Sequence, residues 1–140
     1  MKRALVVEDN GQSMYLLSFI LTKGGYEVIE AATGEAGVEL AIEEKPDLIL
    51  MDIRLPGIDG LEATKRIRKS ESDGEVPIIA VTSHAMTGDR DRALAAGCTG
   101  YIEKPINPET LLSEIEKYLG KARTVGASQS DPQSGTGRQE

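Results

Sequence analysis

Residues able to do chemistry follow directly on short apolar runs. Glu8 and Asp9 follow Ala4–Val7, Asp52 follows Leu48–Met51, Thr82 and Ser83 follow Ile78–Val81, and Glu103, Lys104 and Pro105 follow Gly100–Ile102. If these runs are parallel strands of one sheet, three carboxylates, a hydroxyl and an ammonium converge on one edge, where open α/β sheets bind ligands. Two like charges about 4 Å apart repel by about 4 kcal/mol at an effective dielectric near 20. A divalent cation relieves that repulsion, and an all-oxygen, carboxylate-led donor set suits Mg²⁺, which keeps part of its water shell. Lys104 offsets only part of the charge. A carboxylate flanked by Mg²⁺ and a lysine is placed to attack phosphorus, because both cations stabilise charge on the transferring group. The product would be an aspartyl phosphate.

Taken singly, each residue has a plainer use. An acid after a strand is usually a loop charge, a threonine makes a local hydrogen bond, Tyr101 packs, and Lys104 is solvated. Their joint occurrence after several runs favours the shared site.

The elements that would position them alternate. The runs Ala4–Val7, Leu48–Met51 and Ile78–Val81 are nearly continuous, as expected for parallel strands covered on both faces. Gly100–Ile102 is a weaker strand, and Tyr26–Glu30 alternates, which suits a strand nearer an edge. Between them, Ser13–Lys23 is apolar enough for a helix and stops at Gly24-Gly25. Thr33 can cap a helix to about Glu44, before Pro46, and Asp59 with Glu62 forms a capping pair ahead of Leu61, Thr64 and Ile67. Thr87 starts a helix that Gly97 ends. Asn107-Pro108 caps a last helix with an apolar stripe at Leu111, Leu112, Ile115 and Leu119. Five strands alternating with five helices predict a doubly wound α/β fold with a parallel sheet and right-handed crossovers.

Composition bounds the partners. Of 16 bases and 23 acids, the stretch from Lys121 onward holds three and two, so the body carries 13 bases against 21 acids. Such a surface repels the phosphate backbone of nucleic acid, so no nucleic-acid partner is expected. Cys98 is the only cysteine, which excludes an internal disulfide or thiolate metal cluster. The apolar run after Met1-Lys2-Arg3 stops at Glu8-Asp9, too short for a secretory leader, and no stretch reaches membrane-spanning length. A cytoplasmic location is expected. Residues 121–140 are rich in Ser, Gly and Gln without periodicity, so they read as a disordered tail after a folded domain of residues 1–120.

The motifs Leu5–Asn10 (LVVEDN), Asp47–Gly60 (DLILMDIRLPGIDG), Ile78–Ser83 (IIAVTS) and Gly100–Pro105 (GYIEKP) resemble those of bacterial two-component response-regulator receivers over residues 1 to about 120. The stretches around Ala85–Asp89 and Ala96–Ile106 look most like stand-alone chemotaxis and cell-division regulators and the receivers of hybrid kinases. The resemblance implies a flavodoxin-like sheet of order 2-1-3-4-5. It also implies that Asp52 is the phosphoacceptor, with Mg²⁺ held by Asp9 and Asp52 directly, by Glu8 through water, and by the backbone carbonyl of Arg54. Glu8 stands where many relatives have Asp. Lys104 would contact phosphoryl oxygens, Thr82 would move to hydrogen-bond one, Tyr101 would turn inward as Thr82 leaves, and the Lys104–Pro105 bond would be cis. Arg54 and His84 would flank the site, either as exposed rim residues or as screens against hydrolysing water. The implied function is a phosphorylation switch taking its phosphoryl group from a histidine kinase or histidine phosphotransfer protein. It would read out to a downstream protein through the face of the fourth helix, fifth strand and fifth helix. It would be no enzyme beyond catalysing its own phosphoryl transfer and autodephosphorylation. With no output domain after Gly120, it is expected to act through partners.

Other classes fit less well. A haloacid-dehalogenase-like phosphatase needs an Asp-x-Asp-x-Thr motif, and Arg54 and Pro56 stand at the later positions, so the general acid is missing. A flavin carrier would need a phosphate-binding loop that is not seen, and no Gly-x-x-x-x-Gly-Lys-Ser/Thr is present for a nucleotide enzyme. A phosphate-independent interaction module on the same fold would usually have lost an acid, the threonine or the lysine, and all are retained.

Overall fold

Strand β1 (Arg3–Val7) is buried from Ala4 onward, and β3 (Leu48–Asp52) and β4 (Ile78–Thr82) are buried at every position. Their side chains therefore meet covering helices on both faces, the reason their sequences are continuously apolar. The structure is a computed structural model that describes residues 2–71, 76–83 and 88–127, with the backbone alone described for 120–127. β2 (Glu27–Ala31) lies at one edge and keeps exposed glutamates, and β5 (Gly100–Glu103) closes the other. All pairings are parallel and the order is β2-β1-β3-β4-β5, as the resemblance implied.

Helices α1 (Gly11–Lys23), α2 (Gly34–Glu44), α3 (Gly60–Ser70), α4 (Asp89–Ala96) and α5 (Leu111–Ala127) alternate with the strands. Because successive strand residues face opposite ways, the sheet has two separate cores. Ala4, Val6, Leu48, Leu50, Ile79 and Val81 pack with Leu17, Ile20 and Leu21 of α1 and Leu111 and Ile115 of α5. Leu5, Val7, Ile49, Met51, Ile78 and Ala80 pack with Ala41 of α2, Ala63 and Ile67 of α3 and Ala93 of α4. Each fully buried aliphatic side chain contributes about 1.5–3 kcal/mol, so the two cores hold the strands, and with them their ends, in place.

Several boundaries differ from the sequence reading. α1 begins at Gly11 because Asn10, not a residue nearer Ser13, is the cap: its side chain accepts from the Ser13 N–H at 2.9 Å. Thr33 and Asp59 cap α2 and α3 as their positions predicted. α4 is described from Asp89, preceded by Gly88 at φ +90°, a conformation that favours glycine; the expected start at Thr87 lies outside the described residues. α5 continues past Gly120 to Ala127, since Lys121, Ala122 and Arg123 are good helix formers and one glycine costs a helix only about 1 kcal/mol. Residues 128–140 lie outside the described residues. None of the described helices is long and apolar enough to cross a membrane.

Candidate functional site

The register brings the candidate residues to one edge. Val7 pairs with both Ala31 and Met51, Asp52 with Val81, and Thr82 with Glu103. Glu8-Asp9, Asp52, Thr82 and Lys104 thus emerge side by side at the carboxyl ends of β1, β3, β4 and β5. Sequential strands on opposite sides of β1 make this the point where the strand order reverses, the binding crevice of such sheets.

Glu8 is buried although charged, and each carboxylate oxygen has a partner. Oε1 accepts from Lys104 Nζ at 2.7 Å, and Oε2 accepts from the Asn10 N–H at 3.0 Å. The Glu8 N–H donates to the Ala31 carbonyl, which anchors this corner to β2. Asp9 is exposed at the mouth. Asp52 is 6% exposed; its Oδ1 accepts from the Arg54 N–H at 3.2 Å and its Oδ2 lies 3.8 Å from Lys104 Nζ. Burial, reinforced by the neighbouring Glu8 carboxylate and only partly offset by Lys104, pushes the Asp52 carboxyl up to about 7. Glu8, Asp9 and Asp52 each offer an oxygen, all within 4.8 Å of one another. That donor set is hard, anionic and short of cations, and it fits Mg²⁺.

Thr82 is fully buried at the end of β4, and its carbonyl accepts from the Lys104 N–H at 2.8 Å, which seats the lysine's backbone beside the threonine. The Lys104–Pro105 peptide is cis. Tyr101 is buried in the core beneath α4, and its hydroxyl has no hydrogen-bond partner among the described residues. Arg54 contributes its backbone to Asp52, while its half-exposed guanidinium reaches Asp89 at 3.8 Å. His84 lies outside the described residues.

Two residues of this region escaped the sequence reading. Gly60, the first residue of α3, lies so close under the site that a Cβ would sit 2.1 Å from the Asp52 carbonyl oxygen and 2.8 Å from Ile53 Cα. Its N–H donates to the Ile53 carbonyl at 2.8 Å, so only glycine lets α3 close against the acceptor strand. The Asp59-Gly60 pair was the available signal. Asp89, in the first turn of α4, is 4% exposed and pairs with both Arg54 and Arg92. Nothing local in the sequence marks it as buried.

Comparison with known proteins decides the family. Residues 4–116 match the response regulator receiver domain. The chain belongs to the response-regulator receiver family. The polar-differentiation response regulator DivK of Brucella ovis is similar, 44% identical over 121 residues that span 86% of this chain and 98% of that protein. Among solved structures, a CheY-like receiver domain protein from Methanospirillum hungatei superposes with a TM-score of 0.80 at 35% identity, covering 88% of this chain and 97% of that one. The receiver domain of a sensor histidine kinase from Pseudomonas aeruginosa gives 0.78 at 39% identity over 85% and 98%, and was solved with a magnesium ion coordinated in its active site cleft. Receiver domains are the phosphorylation switches of two-component systems, bind Mg²⁺ in their acidic site, and work between histidine kinases and downstream targets.

Proposed function

We propose that this receiver accepts a phosphoryl group from a phosphohistidine onto Asp52 and signals by altered partner binding. The observation that carries the reading is the nearly buried Asp52 carboxylate, 3.8 Å from the Lys104 ammonium and grouped with Glu8 and Asp9. Asp9 and Asp52 would hold Mg²⁺ directly, Glu8 through water and Arg54 through its backbone carbonyl. Bound there, the metal supplies positive charge against the phosphoryl oxygens.

Asp52 Oδ forms the new bond to phosphorus as the phosphorus–nitrogen bond to histidine breaks and the imidazole keeps the electron pair. Lys104 leaves Glu8 for a phosphoryl oxygen, and the Thr82 hydroxyl turns to another. Phosphorylation adds about −1.5 to −2 charges. A shift from 1:99 to 99:1 requires about 5.5 kcal/mol of preference, which a new ion contact and a new hydrogen bond largely supply. Tyr101 occupies the space beside Thr82 in the active state, and α4, β5 and α5 form the readout face. Arg54, two residues from Asp52, and His84, two residues from Thr82, slow hydrolysis of the acyl phosphate. The upstream partner is a histidine kinase or histidine phosphotransfer protein, the downstream partner a protein, and the setting cytoplasmic. The chain has no turnover beyond its own phosphoryl transfer and autodephosphorylation.

Intact mass spectrometry after incubation with acetyl phosphate and Mg²⁺ tests the reading. Wild type gains one phosphoryl group; Asp52→Asn and chelator-treated samples do not. An unmodified wild type, with a cognate kinase also failing, would overturn it.

A further inference from the structure

The ion pairs of Asp89 beside the site have no part in that chemistry. Asp89 is a buried carboxylate held between two arginines, with Oδ1 on Arg92 Nη2 and Oδ2 3.8 Å from Arg54 Nη2. Arg92 is on the same helical turn, whereas Arg54 belongs to the loop after β3 and is two residues from Asp52. The Arg54–Asp89 contact therefore ties α4 to the segment whose N–H group holds Asp52 Oδ1. The guanidinium is about half exposed and borders an open recess of about 440 Å³, lined also by Leu55, Asp59 and Leu61. The guanidinium thus stands at the border of that recess, with Asp89 on one side and the acceptor loop on the other.

We infer that Arg54 is a mobile cation for which Asp89 and the phosphoryl group on Asp52 compete, so that phosphorylation draws Arg54 off α4. The inference rests on the phosphorylation reading above. Before phosphorylation, Asp52 already faces Lys104, and Asp89 holds the guanidinium. Afterwards, a group carrying about −1.5 to −2 charges stands beside the Arg54 backbone. Losing Arg54 does not strand Asp89 as an uncompensated buried charge, the outcome that makes breaking most buried pairs costly, because Arg92 remains. The exchange thus releases α4 from the acceptor loop at small cost. Over the phosphoryl group, Arg54 also hinders hydrolysis, in which water oxygen bonds to phosphorus, the phosphorus–oxygen bond to Asp52 breaks with its electrons returning to the carboxylate, and the water proton leaves with inorganic phosphate.

The test uses the full chain, phosphorylated with acetyl phosphate and Mg²⁺, with acyl phosphate half-life and affinity for beryllofluoride as readouts. Asp89→Asn, close in shape, removes the competitor, so the half-life lengthens and beryllofluoride binds more tightly, each by about three- to five-fold, the scale such a pair supports. Arg54→Gln shortens the half-life, and the double variant matches Arg54→Gln. Arg92→Ala, on the helix surface, removes the other guanidinium that Asp89 holds, strengthens its hold on Arg54 and shifts both readouts the opposite way to Asp89→Asn, a check that stands even if Asp89→Asn fails to fold. An Asp89→Asn effect that persists in the Arg54→Gln background, or an Arg92→Ala half-life that lengthens or stays constant, overturns the exchange. If wild type takes up phosphoryl but these shifts fail, the exchange alone is refuted; if wild type takes up none, the phosphorylation reading falls with it.

Discussion

Replacing Asp52 by asparagine should stabilise the metal-free protein, and by an amount that grows with pH. The Asp52 carboxyl titrates at about 7 in the fold against an ordinary value of 3.8. At about 1.36 kcal/mol per unit, ionising it inside the protein costs on the order of 4 kcal/mol. The sign follows from proton counting. Between about pH 4 and pH 7 the folded chain keeps a proton that the unfolded chain has lost, so stability is full below the lower value and declines as pH rises to the upper one. The Asp52→Asn variant has no proton to lose at this position, and its stability carries no such dependence.

The gain from Asp52→Asn is therefore near zero below pH 4, about 1–2 kcal/mol at pH 5 and about 4 kcal/mol at pH 8. Urea unfolding followed by circular dichroism, with chelator present, reads this directly. At about 1–3 kcal/mol per molar urea, the gap between the two midpoints should widen by about 1 M or more from pH 5 to pH 8. An equal gap at both pH values, or a variant less stable than wild type at pH 8, would refute the claim that burial and Glu8 together oppose the Asp52 charge.

Mg²⁺ should raise the melting temperature of wild type at pH 8 and leave Asp52→Asn much less affected, because binding to the folded state alone stabilises it by mass action; calorimetry with and without chelator checks this. Gly60→Ala should lose about 1–3 kcal/mol, since its Cβ would meet immovable backbone at Asp52 and Ile53, and its phosphorylation rate should fall with it; chemical denaturation and a phosphorylation time course measure both. Tyr101→Phe should keep or raise the stability of the unphosphorylated protein by about 1 kcal/mol, because it removes a buried hydroxyl without a partner among the described residues; a thermal melt that drops by several degrees would show the hydroxyl is satisfied.

The strands that carry the site were legible because a parallel strand covered on both faces must be apolar throughout, so its end is marked by the first polar residue. Asp52 and Thr82 are themselves the last residues of β3 and β4, one step beyond the apolar runs that announce those strands. α4 was the least legible helix, for Asp89–Ala96 is mostly Asp, Arg and Ala and carries no broad apolar stripe. Gly60 drew no reading of its own because the atom it must avoid, the Asp52 carbonyl oxygen, lies across a loop. Asp89 was hidden for a related reason: Arg92 is visible at helical spacing, but Arg54 becomes its neighbour only through the fold.

These placements distribute cations unevenly. At the strand ends Glu8 and Asp52 share Lys104 beside the exposed Asp9, while at the start of α4 Asp89 holds two guanidinium groups among the described residues. Charges placed for resting stability alone would have sent Arg54 to the carboxylates, since its backbone already touches Asp52. The deficit instead stays local and deep, where desolvation makes it strongest, and the surplus lies at the start of α4. A divalent cation held by these carboxylates would fill part of the deficit. A phosphoryl group deepens it again; Lys104, 3.8 Å from Asp52, answers first, and under the exchange proposed above Arg54 follows from α4.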